Sequence, residues 1–124
     1  MYLKNAKTIV IKIGSSLLID QKKKIRKKWL KEFSKDIKKL SNESKKIIIV
    51  SSGAIAIGCK KLNLSKRNLK LEKSQAVASV GQIELMNLFN ECFDKNKINI
   101  SQILLTLEDT EQRRRALNAR RTFE

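Results

Sequence analysis

Short apolar runs alternate along this chain with longer segments in which apolar residues recur at helical spacing. Residues 8–13 and 47–50 are nearly continuous and β-branched, as expected of strands buried on both faces of a parallel sheet. Between them, apolar residues recur every three or four positions over about 25–41, which predicts an amphipathic helix. A strand, a helix and a second strand form a βαβ unit, so we expect parallel strands joined by a right-handed crossover.

Two further helices are predicted after the second strand. The first should begin near Ala54 and end near residues 62–64, before a polar and basic connection. The second covers about 74–93 and has a broad apolar face, so it should be buried on more than one side. Gly81 interrupts its middle at a cost of about 1 kcal/mol relative to alanine. Close packing against a backbone or a ligand would explain this glycine, and neutral drift would explain it equally.

The last quarter of the chain predicts one more strand and one more helix. Residues 100–107 have the apolar pattern of a third strand. Asp109 followed by Gln112 resembles a capping box that opens the last helix, on which Leu117 and Phe123 should face inward. Together, these elements predict an α/β fold, a three-layer αβα sandwich with a mainly parallel sheet.

A turn of glycine and serine follows each of the first two predicted strands. These turns are Gly14-Ser15-Ser16 and Ser51-Ser52-Gly53, and parallel strands would place both at the carboxyl edge of the sheet, where ligands bind. Backbone N–H groups in such turns, and at the start of a following helix, attract anions. Lys12 could add charge there, because a lysine in a buried strand must reach water or an anion. The alternatives are a lysine that reaches water from an edge strand and a serine that only caps a helix.

Composition restricts the class of protein and raises one competing function. The chain has 124 residues and a net charge of +16, which makes nucleic acid, anionic membrane or acidic small molecules the first partners to consider. The excess is mostly lysine spread over predicted helices and loops, however, and biased genome composition produces the same profile. Trp29 and Phe33 lie on the apolar stripe of their helix, so we expect them in the core rather than stacked on bases.

Cysteine usage and hydropathy exclude several other classes. Cys59 and Cys92 are far apart, and no C-x-x-C pair or histidine is present to complete a zinc site, so we expect two buried free thiols. No apolar run is long enough to cross a bilayer and no signal-peptide pattern is seen, so a cytoplasmic protein is expected. The sequence stops at Glu124 within the predicted last helix and without a capping signal, from which we expect a fragment.

The ordered set of motifs resembles a known family. Residues 10–16, Val-Ile-Lys-Ile-Gly-Ser-Ser, resemble the opening motif of the amino acid kinase family. Residues 49–58, Ile-Val-Ser-Ser-Gly-Ala-Ile-Ala-Ile-Gly, resemble its glutamate 5-kinase branch. The similarity continues through residues 75–82, 101–106 and 118–120, so it covers essentially the whole chain in the right order.

The resemblance implies an ATP- and Mg²⁺-dependent phosphotransferase. The γ-phosphoryl group of ATP would be transferred to the side-chain carboxylate of L-glutamate, giving glutamyl 5-phosphate in the first step of proline biosynthesis. By resemblance, Lys12 holds the ATP phosphates and has the catalytic role, while Gly14 and Ser15 form the adjoining phosphate loop. These positions agree with the physical argument, because phosphoryl transfer needs positioning and positive charge rather than a protein nucleophile.

The resemblance also assigns the acceptor side. Ser52 would bind glutamate, and Gly53 and Ala54 would add backbone N–H contacts. Family members are longer, so the resemblance implies that residues 1–124 are the amino-terminal part of the domain, without its nucleotide-binding half. We expect the full-length form to be a homo-oligomer and the 124 residues alone to be inactive. Two alternatives remain: an amino acid kinase of the acetylglutamate or carbamate type, which the run at 51–58 disfavours, and a basic nucleic-acid-binding module, which would bind in a salt-sensitive way.

Overall fold

The computed structural model describes residues 2–22, 24–65 and 67–124. Its elements, in chain order, are α1 (Tyr2–Asn5), β1 (Thr8–Ile13), α2 (Ser15–Leu18), α3 (Lys27–Asn42), β2 (Lys46–Ser51), α4 (Ala54–Lys61), α5 (Leu71–Asp94), α6 (Leu107–Glu111) and α7 (Arg113–Phe123). The two strands and the helices α3, α4 and α5 lie where the apolar pattern predicts them, with ends shifted by a few residues. The basic connection between α4 and α5 was also predicted, although its Lys66 lies outside the described residues.

The strands form a parallel pair with α3 between them in the chain, as predicted. Their register runs from Thr8 beside Lys46 to Ile13 beside Ser51. Both strands therefore end at the same edge of the sheet. The turn that follows each strand begins there.

Only one face of the sheet packs against the main core. That face carries Ile11 and Ile13 of β1 and Ile47 and Ile49 of β2. Side chains alternate along a strand, so Val10, Lys12 and Val50 lie on the opposite face, and the two valines are 62% and 50% exposed. The prediction that both faces are buried is therefore wrong for the described residues, because the helices α3 and α5 cover one face only.

The core on the covered face is aromatic and lies between α3 and α5. Trp29 stacks on Phe33 with ring centroids 5.3 Å apart, and Phe33 meets Phe93 edge-on at 6.2 Å. The expectation that these rings form core rather than base-stacking platforms is confirmed. Cys59 and Cys92 are buried free thiols, as predicted.

Polar contacts also join α3 to α5 and to the turn that follows α5. The hydroxyl of Ser34 is fully buried, donates to the Lys31 carbonyl at 2.7 Å and accepts from the Asn96 amide at 2.8 Å. At the surface, the Lys27 ammonium lies 2.9 Å from the Glu91 carboxylate. This hydrogen bond raises the pKa of Lys27 and lowers the pKa of Glu91. None of the described helices is both long enough and apolar enough to span a membrane.

The last quarter of the chain differs from the prediction. Residues 100–106 form no strand in the structure, and Leu104 is 75% exposed. A strand needs a hydrogen-bonded neighbour, and this segment pairs with neither β1 nor β2. The last residue of the segment, Thr106, instead takes part in the start of the next helix. Its backbone N–H and its hydroxyl both donate to the Asp109 carboxylate, at 2.7 and 2.8 Å.

The helix start also lies one turn earlier than predicted. Thr106 is the N-cap and Asp109 is its capping-box partner, so the predicted box of Asp109 with Gln112 is wrong. Gln112 separates α6 from α7. Leu117 and Phe123, both predicted to face inward, are 45% and 37% exposed, so that prediction is wrong. Phe123 lines an open groove over the amino ends of the strands.

Candidate functional site

The two glycine-serine turns meet at the carboxyl edge of the sheet. Ser51 lies beside Ile13 in the strand register, and the next residue, Ser52, donates its backbone N–H to the Ile13 carbonyl at 3.0 Å. The second turn is thus held against the end of the first strand. The predicted position of both turns at one edge is confirmed.

Gly53 lies in direct contact with the first turn. A Cβ added to Gly53 would stand 3.7 Å from the Cα and Cβ atoms of Ser15 and 3.3 Å from Cδ1 of the buried Leu18. Gly53 also has a φ of 122°, a conformation that side chains with a Cβ rarely adopt. The positive φ is therefore the feature that requires glycine here, since a Cβ would meet Ser15 only at an ordinary van der Waals distance.

The second turn leads directly into α4. The Gly53 carbonyl accepts the first bond of this helix, from the Ile57 N–H at 2.9 Å. As in any α-helix, the first N–H groups, here those of Ala54 and the two residues after it, have no carbonyl of their own helix to bind. They lie at the positive end of the helix dipole.

Ser52 does not cap this helix. The N-cap position belongs to Gly53, and the Ser52 hydroxyl donates instead to the Ile13 carbonyl at 3.3 Å. The interpretation of Ser52 as a simple capping serine is therefore wrong. Its side chain is exposed at the edge where the two turns meet.

The first turn is the start of a one-turn helix, α2. Gly14 is its N-cap in an extended conformation, and the Leu17 and Ile19 N–H groups donate to the Gly14 and Ser15 carbonyls at 3.1 and 2.9 Å. The N–H groups of Ser15 and Ser16 precede these bonds. They are the first two N–H groups of the helix, next to the α4 terminus across the Ser15–Gly53 contact.

Two cationic side chains lie near this edge. Lys12 is exposed on the face of the sheet opposite the core, two residues before Gly14. Its ammonium group is therefore not desolvated by burial. Arg26, which sequence reasoning did not single out, donates from its guanidinium to the Ser16 carbonyl at 3.4 Å. An isolated antiparallel bridge between Ile19 and Ile25 brings Arg26 close to α2. No local sequence pattern predicts this bridge.

The chemical groups of this edge suit anions. N–H, hydroxyl, ammonium and guanidinium groups are donors to phosphate and carboxylate oxygens, and two helix starts lie side by side. Within the described part of the chain, no three histidine, cysteine or acidic side chains group together as a metal site. The geometry therefore fits two neighbouring anions, such as a phosphate and a carboxylate.

The chain is similar in sequence to known proteins over nearly its whole length. The profile of the amino acid kinase family matches residues 7–124. Over 124 residues the chain is 78% identical to a glutamate 5-kinase of Pelagibacter ubique, and over 121 residues it is 51% identical to a glutamate 5-kinase of Sinorhizobium fredii. These matches cover 100% and 98% of the chain but 34% and 31% of the relatives, so the chain spans about a third of their length. The chain belongs to the amino acid kinase family.

Proposed function

We propose that residues 1–124 are the amino-terminal part of a glutamate 5-kinase, which phosphorylates the side-chain carboxylate of L-glutamate with ATP. The observation that carries the proposal is the contact of Gly53 with Ser15, which brings two anion-binding turns together at one sheet edge. A kinase with a carboxylate acceptor needs one anion site for the donor and one for the acceptor, close enough for direct transfer. Similarity to relatives named glutamate 5-kinase favours this acceptor over acetylglutamate or carbamate.

The first turn is the proposed donor side. Lys12 would hold the ATP phosphates and stabilise the charge that develops on the transferred group, while Gly14 and Ser15 would offer backbone N–H groups to the phosphates. The donors at this edge fit phosphate oxygens and do not fit a cation. Mg²⁺ would therefore be carried by the ATP phosphates, where it neutralises charge during transfer.

The second turn is the proposed acceptor side. The Ser52 hydroxyl would exchange its long bond to the Ile13 carbonyl for a bond to the glutamate carboxylate. Gly53 and Ala54 would add backbone N–H groups at the positive end of the α4 dipole. These donors hold glutamate beside the phosphates bound at Ser15. Transfer then needs little beyond alignment, since no protein nucleophile takes part.

The other parts of the proposal concern the longer protein. Adenine binding and further glutamate contacts would come from the two thirds of the relatives that have no counterpart in these 124 residues. More strands beside β1 and β2, and helices over the open face, would complete a three-layer αβα sandwich. We further propose that the complete enzyme is a cytoplasmic homo-oligomer and that proline biosynthesis uses its product.

A chimera tests this function. Residues 1–124 replace the matching third of the Pelagibacter ubique relative, which is 78% identical over this region, so that the chimera contains the whole chain. We expect glutamate-dependent release of ADP in a coupled assay with ATP and Mg²⁺. Lys12→Met should lower kcat and kcat/KM together by about a hundred- to a thousandfold, the usual effect of removing one group that stabilises transition-state charge.

The matched control for Lys12→Met is Lys46→Met. Lys46 is an exposed lysine of the same sheet, but it lies beside Thr8 at the opposite end of the strands. It should therefore leave kcat unchanged. An unchanged kcat in Lys12→Met would refute the role of Lys12, and a folded chimera without glutamate-dependent turnover, beside an active parent enzyme, would refute the proposed function.

A further inference from the structure

The long helix α5 lies directly against the first turn of α4. At Gly81 of α5, an added Cβ would overlap the Ala54 carbonyl oxygen and would stand 2.6 Å from the Gly58 nitrogen. Cβ atoms essentially never come within 3.0 Å of a heavy atom from another part of the chain. The two helix backbones therefore touch at Gly81, which is itself buried. This contact explains the glycine in the middle of α5.

This contact acts on the proposed glutamate-binding turn. Ala54 is the first residue of α4, and it follows Gly53 directly. On the other side of the turn, Gly53 meets Leu18, the buried last residue of α2. The turn is thus held between α5, through Ala54, and the first turn, through Gly53.

We propose that Gly81 is a positioning residue that sets where the Ser52–Ala54 turn stands relative to the phosphate-binding turn. The inference rests on the proposed function, because it concerns the acceptor side of that site. Gly81 touches no substrate in this arrangement. It acts through the Ala54 carbonyl, because its missing side chain allows α5 to approach close enough to fix the first turn of α4.

Gly81→Ala in the chimera tests the inference. The new methyl group must displace the Ala54 carbonyl by a distance on the order of 1 Å, and a misplacement of this size can cost about a hundredfold in rate. We therefore expect kcat/KM for glutamate to fall about a hundredfold, while the KM for ATP, bound at the other turn, is unchanged. A merely structural role would lower the thermal stability and the amount of active enzyme without separating the two substrates.

Gly58→Ala is the matched control. Gly58 lies in the same helix crossing, but its added Cβ would overlap the Val77 carbonyl, beyond the first turn of α4. We expect it to lower the melting temperature as Gly81→Ala does, with a much smaller change in kcat/KM for glutamate. Equal kinetic losses in the two variants, or a rise of both Michaelis constants in Gly81→Ala, would overturn the inference.

Hydrogen exchange on the unsubstituted chimera gives an answer even if Gly81→Ala fails to fold. The Ile57 amide donates to the Gly53 carbonyl, so its exchange reports the opening of the first α4 turn. It should exchange as slowly as the Leu85 amide in the buried part of α5. Exchange as fast as that of the Leu64 amide, in the exposed connection, would overturn the inference.

The activity of the chimera separates the two proposals. An inactive unsubstituted chimera refutes the proposed function, whereas an active chimera with unaltered Gly81→Ala kinetics refutes the positioning role alone.

Discussion

Ser52→Ala should separate the fold from glutamate binding. The side chain is exposed, and the hydroxyl makes a long hydrogen bond of 3.3 Å to the Ile13 carbonyl, which also accepts the Ser52 backbone N–H at 3.0 Å. Because the backbone bond survives the substitution, we expect the free energy of unfolding to change by no more than about 0.5 kcal/mol. Loss of a hydrogen bond to a charged ligand is larger, about 1.5–3 kcal/mol. A loss of about 1.5–3 kcal/mol in glutamate binding corresponds to a roughly ten- to hundredfold rise in the KM for glutamate.

The assay is steady-state kinetics of the chimera with glutamate and ATP varied in turn, beside a thermal melt. Ser51→Ala is the control, because the Ser51 hydroxyl donates to the Ser52 carbonyl at 3.1 Å and Ser51 is not one of the residues proposed to bind glutamate. It should leave the KM for glutamate unchanged. If Ser52→Ala raises the two Michaelis constants equally, or lowers stability as much as it weakens glutamate, the proposed contact between Ser52 and glutamate is refuted.

Two further predictions concern the chain outside the turns. The Thr106 N–H and hydroxyl lower the pKa of Asp109, so this carboxylate adds stability above its ordinary pKa, and that stability is lost as the pH falls through the lowered value. Asp109→Ala should therefore lower the melting temperature near neutral pH and lose this effect in acid; an equal difference at both pH values would contradict the capping role. The 124 residues alone should show no glutamate-dependent ADP release and should associate in light scattering, because Val10 and Val50 are exposed on the open sheet face; turnover by a monomer would contradict this.

Local periodicity was enough to predict the elements that surround the site. The β-branched runs, the apolar stripe that contains Trp29 and Phe33, and the broad apolar face of the later helix each have one dominant period. The observed elements agree with these predictions because burial of the same side chains stabilises both the element and the core. Parallel pairing followed from the length of the crossover, and it placed both turns at one edge.

Predictions failed where two local patterns competed or where a partner was required. Thr106 with Asp109 and Asp109 with Gln112 are both spaced as capping boxes, and the sequence does not say which one forms. Two short hydrogen bonds from Thr106 decide it, since they satisfy an N–H and a hydroxyl together. The apolar run at 100–107 could form a strand only beside another strand, and neither strand of the sheet pairs with it.

The closeness of the two turns depends on contacts that no local pattern reveals. Parallel strands bring the turns to one edge, but neighbouring strands still lie about 4.8 Å apart, so the edge alone does not bring the turns into contact. At the end of the second strand, Gly53 adopts a positive φ close to Ser15 and Leu18, a conformation that residues with a Cβ rarely adopt. In the positioning role proposed above, Gly81 contributes as well, because its missing Cβ lets the backbone of α5 approach the Ala54 carbonyl. The proposed site would therefore depend on two glycines far apart in sequence, and one of them, Gly81, is equally compatible with neutral drift when the sequence alone is considered.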